Sequence, residues 1–225
     1  GERGKFKIYV NPYCLGMGVI SGGGPFSPGG ARTSFGLQES VYEYFTGQKL
    51  FNYYDFTLQN AEYGGGWLTR KGSGASLLFT ADADEAQILY LDIRAHKYYC
   101  FDVYVGGKRI YYSYPQSELN GILELGLFEG QSVEVSVAVK DDAYVEYIAL
   151  AGLPLSKLQA LGQLDTAESF EYRGGSYQIS ANSAQGGTLF LSIPYDEGFS
   201  CTVNGKAAKV YETAGFISIE LEKGH

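Results

Sequence analysis

The chain has 225 residues and a formal net charge of −8, with 45% hydrophobic and 19% charged residues. This apolar fraction is enough for a folded core and argues against intrinsic disorder. The net negative charge disfavours binding to nucleic acid or to anionic lipid surfaces, and the sequence has no run of 18 apolar residues that would span a bilayer.

The composition favours an all-β fold. The chain contains 31 glycines, 20 tyrosines and 13 phenylalanines, but one methionine and one tryptophan. Aromatic residues are enriched in strands and glycines in tight turns, so this mixture is typical of many short strands. We predict two antiparallel β-sandwich modules of jelly-roll type with one or two short helices.

Residues 1–50 are predicted to form a strand, a loop and a short helix that pack on the β modules. Phe6–Val10 has the pattern of a strand, and Ser21–Gly30 is rich in Gly and Pro and has no periodicity. Ser34 is the predicted N-cap of a helix that ends at Gly47. The apolar side of this helix is predicted to be Leu37, Val41 and Tyr44 or Phe45.

The first β-sandwich module is predicted over residues 51–152. Val133–Val139 and Tyr144–Leu150 flank a polar turn, so we predict that these two strands form a hairpin. Gly106 and Gly107 are predicted to form the tight turn of another hairpin. The remaining strands are predicted at Tyr53–Leu58, Gly66–Arg70, Ser76–Ala81, around Leu89–Ile93, and at Ile122–Leu127.

A bridging helix is predicted over residues 153–163, with Pro154 at its first position and Gly162 as its stop. The second β-sandwich module is predicted over residues 164–225. Its strands are expected at Thr166–Tyr172, Ser176–Ala181 and Leu189–Ile193, and Asn204-Gly205 is the pair typical of a type I′ hairpin turn. We expect this module to be truncated at its C-terminal end and the whole chain to be a fragment of a longer protein.

An internal similarity links the two modules. Leu89, Leu91 and Ile93 match Leu189, Leu191 and Ile193 at a spacing of 100 residues, and each set precedes a Gly-Lys turn. Each copy then continues into an apolar strand and an acidic turn that ends in Gly130 or Gly224. The similarity predicts two related β modules, although convergence of composition is an alternative.

The residues that commonly carry catalysis or bind metals are sparse. His96 and His225 are the only histidines, so neither a histidine triad nor a multi-histidine metal site can be built from this chain. Acidic groups such as Asp82, Asp84 and Glu85 fall in predicted turns, where carboxylates commonly cap the turn and face water. We favour this role over a calcium-binding loop or the acid–base pair of a glycosidase. We therefore expect no metal site and no cofactor.

The three cysteines, Cys14, Cys100 and Cys201, lie far apart and show no C-x-x-C spacing. Buried thiols are the favoured interpretation. A bond between Cys100 and Cys201 would join equivalent places in two modules and is the less favoured alternative.

The density of aromatic residues suggests a sugar-binding surface, because flat rings stack on the apolar faces of pyranoses. We predict glycan contacts at Trp67, Tyr195 and Asp196. The competing explanation for each ring is ordinary cross-strand packing. The negative charge favours a neutral sugar, or a polymer bearing positive substituents, over an anionic polymer.

Several motifs in chain order resemble the YfhO family of bacterial membrane proteins. Near the start these are Asn11-Pro12-Tyr13, Pro25-Phe26 and Phe45-Thr46-Gly47. Near the end they are IPYDEGF at residues 193–199 and VNGK at 203–206, followed by an apolar strand and an acidic-Lys-Gly-His end. The resemblance covers nearly the whole chain.

This resemblance implies a polytopic membrane protein similar to lipid-sugar-dependent glycosyltransferases that modify envelope polymers such as lipoteichoic acid. It implies that this chain is a non-catalytic part on the outer face of the cytoplasmic membrane, which positions the acceptor glycan or stabilises the protein's own membrane helices. A freestanding carbohydrate-binding module and a secreted hydrolase are the alternatives.

Overall fold

The computed structural model describes residues 2–3, 6–7, 16–24, 26, 29–30, 33–96, 100–112 and 121–223. Two α-helices are present in these ranges: α1 (Ser34–Thr46) and α2 (Leu155–Leu161). The strands, in chain order, are β1 (Glu2–Arg3), β2 (Phe6–Lys7), β3 (Gly18–Ser21), β4 (Asn52–Tyr54), β5 (Phe56–Gln59), β6 (Ala61–Gly64), β7 (Trp67–Arg70), β8 (Ser76–Ala83), β9 (Gln87–Ala95), β10 (Phe101–Val105), β11 (Lys108–Tyr112), β12 (Gly121–Phe128), β13 (Gln131–Val139), β14 (Ala143–Pro154), β15 (Ser169–Arg173), β16 (Ser176–Ser180), β17 (Gly187–Pro194), β18 (Cys201–Val203), β19 (Lys206–Ala208), β20 (Val210–Thr213) and β21 (Phe216–Leu221).

The chain divides into two compact units. The middle module comprises Leu50–Ser156, and the terminal module comprises Gly1–Lys49 together with Lys157–His225. All of the strand pairs described are antiparallel. The prediction of an all-β fold built from antiparallel sandwiches is confirmed.

The middle module consists of two sheets with one hydrophobic core. One sheet has the strand order β11-β10-β13-β8-β5, and the other has the order β12-β9-β14-β7-β6, with β4 also paired to β14. Alternate residues of β9 and β13 are apolar and buried, among them Leu91 and Val135, which both belong to the core. Because successive side chains of a strand point to opposite faces, this alternation places one face of each sheet in the core.

The terminal module has a four-stranded sheet with the order β20-β21-β17-β3. Leu189, Leu191 and Ile193 of β17 form its core with apolar residues of β3 and β21. Two hairpins, β15–β16 and β18–β19, contribute apolar side chains such as Phe170 and Val203 to the same core. Strand β3 was not predicted from the sequence, because Gly18–Ser21 is short and adjoins a glycine-rich stretch.

The predicted hairpin of Val133–Val139 and Tyr144–Leu150 is wrong. Strand β13 pairs with β10 and β8 in one sheet, whereas β14 pairs with β9, β7 and β4 in the other. The connection therefore crosses from one sheet to the other. Arg70 fixes this crossing, because its backbone N–H donates to Asp142 Oδ1 over 2.8 Å and its guanidinium donates to the Lys140 carbonyl over 2.7 Å.

A similar crossing divides the predicted strand Tyr53–Leu58. Strand β4 pairs with β14 and strand β5 pairs with β8, so the chain changes sheets at Asp55. Pro154 is likewise the last residue of β14 and lies opposite Gln87, and it does not begin α2. Proline is tolerated at the end of a strand because few hydrogen bonds of the ladder are lost there with its missing N–H.

Helix α1 begins one residue earlier than predicted and buries different side chains. Its N-cap is Thr33, whose hydroxyl accepts the Gly36 N–H over 3.0 Å. The buried residues are Phe35 and Tyr42, whereas Leu37 is exposed. The predicted end at Gly47 is correct, since this residue has φ +69 and its N–H donates to the Glu43 carbonyl.

Of the strand predicted at Phe6–Val10, Phe6–Lys7 forms β2, and residues 8–10 lie outside the described residues.

The internal similarity of the sequence corresponds to a shared strand plan. In the middle module, β9 pairs with β12, and the hairpin β10–β11 lies between them in the chain. In the terminal module, β17 pairs with β21, and the hairpin β18–β19 lies between them. Strand β8 precedes β9 and pairs with β5, just as β16 precedes β17 and pairs with β15.

Tight turns at matching places complete this plan. Gly106 and Gly107 have φ of +54 and +76, and Asn204 and Gly205 have φ of +49 and +78. A third turn of this kind joins β20 to β21 at Ala214 and Gly215, with φ of +51 and +82. Alanine is strained at positive φ, whereas asparagine tolerates it well.

We predict that Ala214→Asn raises the free energy of unfolding of the terminal module by about 0.5–1 kcal/mol, because it relieves this strain. The measurement is differential scanning calorimetry. The matched change Asn204→Ala introduces the same strain at the equivalent position of another turn, so it should lower stability. If Ala214→Asn leaves stability unchanged or lowers it, the positive φ of Ala214 does not destabilise the terminal module.

Candidate functional site

Among the described residues of the middle module, Trp67 is the most exposed large aromatic residue. It is the first residue of β7 and follows the turn Gly65-Gly66, whose φ values of +58 and +81 suit glycine. The next residue, Leu68, is 1% exposed and belongs to the core, so Trp67 faces the other side of the sheet. The Trp67 side chain is left 51% exposed.

Tyr144 holds Trp67 in place. It lies directly opposite Trp67 in the β7–β14 ladder, and the two rings meet edge to face with their centroids 5.7 Å apart. A Cβ atom on Gly66 would lie 2.6 Å from a ring carbon of Tyr144, so only glycine leaves room for this ring. The Val145 N–H also donates to the Gly66 carbonyl over 2.7 Å, which fixes the turn against β14.

Two polar side chains lie beside this aromatic pair. The imidazole of His96 is 5.3 Å from the ring of Tyr144, and His96 Nε2 is 2.8 Å from Glu146 Oε1. Both polar side chains are more than half exposed. We call Trp67, Tyr144, His96 and Glu146 the Trp67 platform. An exposed indole beside hydrogen-bonding groups can stack on one face of a sugar ring and contact its hydroxyls.

The other two predicted contact residues, Tyr195 and Asp196, belong to the terminal module. Tyr195 is half-buried against the core, and its N–H donates to the Gly215 carbonyl over 2.8 Å. Asp196 is exposed, and its Oδ1 accepts the Gly198 N–H over 2.7 Å. Thus Tyr195 contributes to packing and Asp196 to the following turn, and their contact with a glycan stays a prediction.

The terminal module also has a row of aromatic side chains that sequence reasoning missed. Tyr177 lies 4.9 Å from Tyr172 and 6.4 Å from Phe199, measured between ring centroids. All three rings are exposed. Tyr172 and Tyr177 are directly opposite in the β15–β16 ladder, and the Gly174-Gly175 turn between the two strands was the only sequence signal that paired them.

The acidic and metal-binding candidates remain separate in the described residues. No group of three His, Cys, Asp or Glu side chains there is arranged to hold a metal ion. Asp82 lies within β8 and not in the predicted turn.

Cys100 and Cys201 are not joined by a disulfide, and burial raises the pKa of the Cys201 thiol. Cys14 and His225 lie outside the described residues.

Asp92 of β9 is an unusual carboxylate in the middle module. Its side chain is 1% exposed, and neither carboxylate oxygen accepts a hydrogen bond from the part of the chain that the structure describes. The nearest cation is Arg94, with Nη2 3.7 Å from Oδ2. Desolvation raises the pKa of Asp92, and the Arg94 charge offsets only part of that effect.

Comparison with known proteins identifies the family of this chain. The model of the family described as bacterial membrane protein YfhO matches residues 2–225. The chain belongs to the YfhO family. The resemblance seen in the sequence motifs is therefore confirmed over the whole chain.

The other comparisons add little to the YfhO assignment. No curated protein matches the chain. Among solved structures, it is similar to the Podospora anserina GH26-CBM35 β-(1,4)-mannanase with 14% sequence identity and a TM-score of 0.34. The match covers 48% of this chain and 28% of that enzyme, so the chain spans under a third of the enzyme's length. In the described part of this YfhO-family chain, no helix has both the length and the apolar character needed to cross a membrane.

The geometry of the Trp67 platform predicts that Gly66→Ala destabilises the middle module by about 1–3 kcal/mol more than Gly65→Ala. Both changes place alanine at positive φ, but only a Cβ atom at position 66 meets Tyr144. Urea unfolding followed by the emission of Trp67, the single tryptophan, measures this difference. Equal costs for the two variants would show that the Tyr144 ring does not require glycine.

The burial of Asp92 predicts that Asp92→Asn raises the free energy of unfolding by an amount that depends on pH. Because the pKa of Asp92 is raised in the folded state, its protonated form is the one favoured by folding. The contribution of protonated Asp92 to stability is fully present below the pKa that Asp92 has in the unfolded chain. It is lost as pH rises through the higher pKa of Asp92 in the folded state. At pH 7 the variant should be about 1–3 kcal/mol more stable than the natural chain, with a smaller difference at pH 4.

Urea unfolding at both pH values tests this expectation, with Asp82→Asn as the control. Asp82 is exposed on β8, the strand before β9. Asp82→Asn therefore removes a carboxylate charge that is not buried. An Asp92→Asn advantage that does not grow between pH 4 and pH 7 would contradict the role of desolvation.

Proposed function

We propose that this chain is the non-catalytic, extracytoplasmic part of a YfhO-family membrane glycosyltransferase and that it holds the acceptor glycan at the Trp67 platform. The parent enzyme uses a lipid-linked sugar and modifies a cell-envelope polymer of the lipoteichoic-acid type. The reaction takes place in the membrane-helix region, which is the partner of this chain. Membership of a bacterial membrane protein family supports this assignment.

The observation that carries the glycan-binding proposal is the fixed, half-exposed ring of Trp67. A tryptophan at 51% exposure leaves much apolar surface in water, and Tyr144 and the glycine turn hold that surface in one orientation. Preorganised contact surface reduces the ordering cost that binding would otherwise carry. A sugar ring stacked on the indole would cover this surface.

The polar part of the platform suits a neutral sugar. Glu146 accepts hydrogen bonds from hydroxyl groups, and the His96 ring donates or accepts according to its tautomer. The formal net charge of −8 repels anionic polymers, so neutral glycosyl units are favoured over bare polyphosphate segments. The freestanding carbohydrate-binding module considered from the sequence would use the same surface, but it would have no membrane partner.

Binding is tested by titrating neutral oligosaccharides while the emission of Trp67 is recorded. Because the chain has one tryptophan, any saturable change in emission reports on this ring alone. We expect a saturable change in the natural chain, and a loss of at least about tenfold in affinity, measured by calorimetry, for Trp67→Ala.

Tyr63→Ala is the matched control. Tyr63 lies on the same hairpin, opposite Leu68, and is 38% exposed, but it faces the core side of the sheet. This variant should keep the affinity of the natural chain. The proposal is wrong if neutral oligosaccharides give neither an emission change nor heat, or if Tyr63→Ala weakens binding as much as Trp67→Ala does.

A further inference from the structure

A groove borders the core of the terminal module. It consists of two adjoining depressions of about 430 and 710 Å³, and Tyr177, Ile179 and Thr202 line both of them. Core residues of β17 and β21, among them Leu191 and Ile219, form the floor of the larger depression. This floor is therefore apolar, as in most sites that bind small organic ligands.

Two exposed aromatic rings line the larger depression. Tyr177 of β16 and Phe199, which lies shortly before β18, are 39% and 38% exposed, and their ring centroids are 6.4 Å apart. An exposed ring face can stack on the apolar side of a pyranose, and its quadrupole also attracts a cation. The rings alone therefore fit a neutral sugar or a cationic one.

The charges of the groove distinguish these two ligands. Asp196 lines the larger depression and Glu168 lines the smaller one, whereas the described residues that line them include no Lys, Arg or His. Arg173, at the end of β15, has its guanidinium 2.8 Å from Glu171, so its charge is already balanced. Carboxylates and aromatic rings without a cation are complementary to a ligand that carries positive charge.

Asp196 is held by the turn that leads to Phe199. Its Oδ1 accepts the Gly198 N–H over 2.7 Å, and its carbonyl accepts the Phe199 N–H over 3.2 Å. A Cβ atom on Gly198 would lie 2.9 Å from Oδ1, so glycine leaves room for the carboxylate. A carboxylate has about four acceptor sites, and the bond to Gly198 leaves others for a ligand. The turn thus supplies one charge and one ring to the same depression.

We propose that this groove binds a glycan whose units carry free ammonium groups, namely an oligomer of unacetylated hexosamine. Its pyranose rings stack on Tyr177 and Phe199, and an ammonium group of one unit donates to Asp196. Because Asp196 and Glu168 line different depressions, an oligomer meets both carboxylates, whereas a single sugar unit meets only one of them.

Binding in the groove is independent of binding at the Trp67 platform. The groove belongs to the terminal module and the platform to the middle module. Their ligands also differ in charge, since the platform suits a neutral sugar and the groove a cationic one. The formal net charge of −8 attracts a cationic glycan to the chain as a whole.

Calorimetry on the Trp67→Ala variant tests the groove alone, because this variant lacks the indole of the platform. Two ligands are compared at about pH 6, where primary amines are protonated. They are a tetramer of β-1,4-linked glucosamine and its fully N-acetylated counterpart. The glucosamine tetramer should bind at least about tenfold more tightly, since acetylation removes its charge, and added salt should weaken its binding. Spermidine, a cation without a pyranose ring, should bind at least about tenfold more weakly than this tetramer.

Asp196→Asn and Glu197→Gln are a matched pair of variants. Each removes one carboxylate from the same turn, but only Asp196 is among the residues that line the groove. Asparagine keeps an oxygen that can accept the Gly198 N–H, so the turn is preserved. Asp196→Asn should weaken binding of the glucosamine tetramer at least about tenfold, whereas Glu197→Gln should leave it unchanged. Tyr177→Ala should weaken binding by a similar factor, and Tyr177→Phe, which keeps the ring, should not.

Cys201 locates the ligand in the natural chain. Its thiol is half-buried and lines both depressions, so a glycan in the groove should shield it from alkylation. With the glucosamine tetramer at about ten times its dissociation constant, alkylation should slow by about tenfold, as mass action requires. Mass spectrometry of the peptide that contains Cys201 measures this rate.

Each outcome decides one part of the proposal. Equal affinity for the two tetramers would overturn it, and so would equal losses in Asp196→Asn and Glu197→Gln or an unchanged rate of Cys201 alkylation. Equal binding of spermidine would show that the groove recognises charge alone and would overturn the glycan as its occupant. A failure of neutral oligosaccharides to bind at the Trp67 platform would overturn the proposed function and leave all of these results unaffected.

Discussion

The structure depends on the burial of three alternating apolar residues in the central strand of each module. Leu89, Leu91 and Ile93 are fully buried in β9, and Leu189, Leu191 and Ile193 are nearly so in β17. Burial of one such side chain contributes about 1.5–3 kcal/mol relative to exposure, and a register slip of one residue would turn all three to the wrong face. These strands therefore fix the register of their neighbours, and β14, a neighbour of β9, carries two members of the Trp67 platform.

The Trp67 platform illustrates how a packed sheet presents an exposed side chain. Leu68 is held in the core, so the pleat turns Trp67 outward, and β14 places Tyr144 beside it. The glycine turn permits the close approach of the Tyr144 ring. The platform thus takes its rigidity from the core beneath it, which is the property that a stacking surface needs when its ligand is weakly held.

The two modules share a strand plan but differ in completeness. The middle module surrounds its core with two sheets of five and six strands, with β13 between β8 and β10. Among the described residues, the terminal module has the two flanking hairpins but no strand that pairs with both, and depressions lined by Tyr177, Ile179 and Thr202 border its core. This difference explains why equivalent positions such as Leu77 and Tyr177 differ in burial.

The sequence by itself determined the all-β class, the central strands and the tight turns, because two-residue alternation and glycine or asparagine pairs act over short distances. Its motifs also resembled the YfhO family, to which the family comparison assigns the chain. The sequence also selected Trp67 as an aromatic residue to test, but it did not reveal Tyr144 and Glu146 of β14 or His96, which follows β9. Only the tertiary structure decided that β13 and β14 lie in opposite sheets, that Tyr195 packs on a core, and that β16 and β18 pair only within their own hairpins among the described residues. Alternation shows that a strand has a buried face but not which strand pairs with it, because pairing is settled by long-range packing of whole layers.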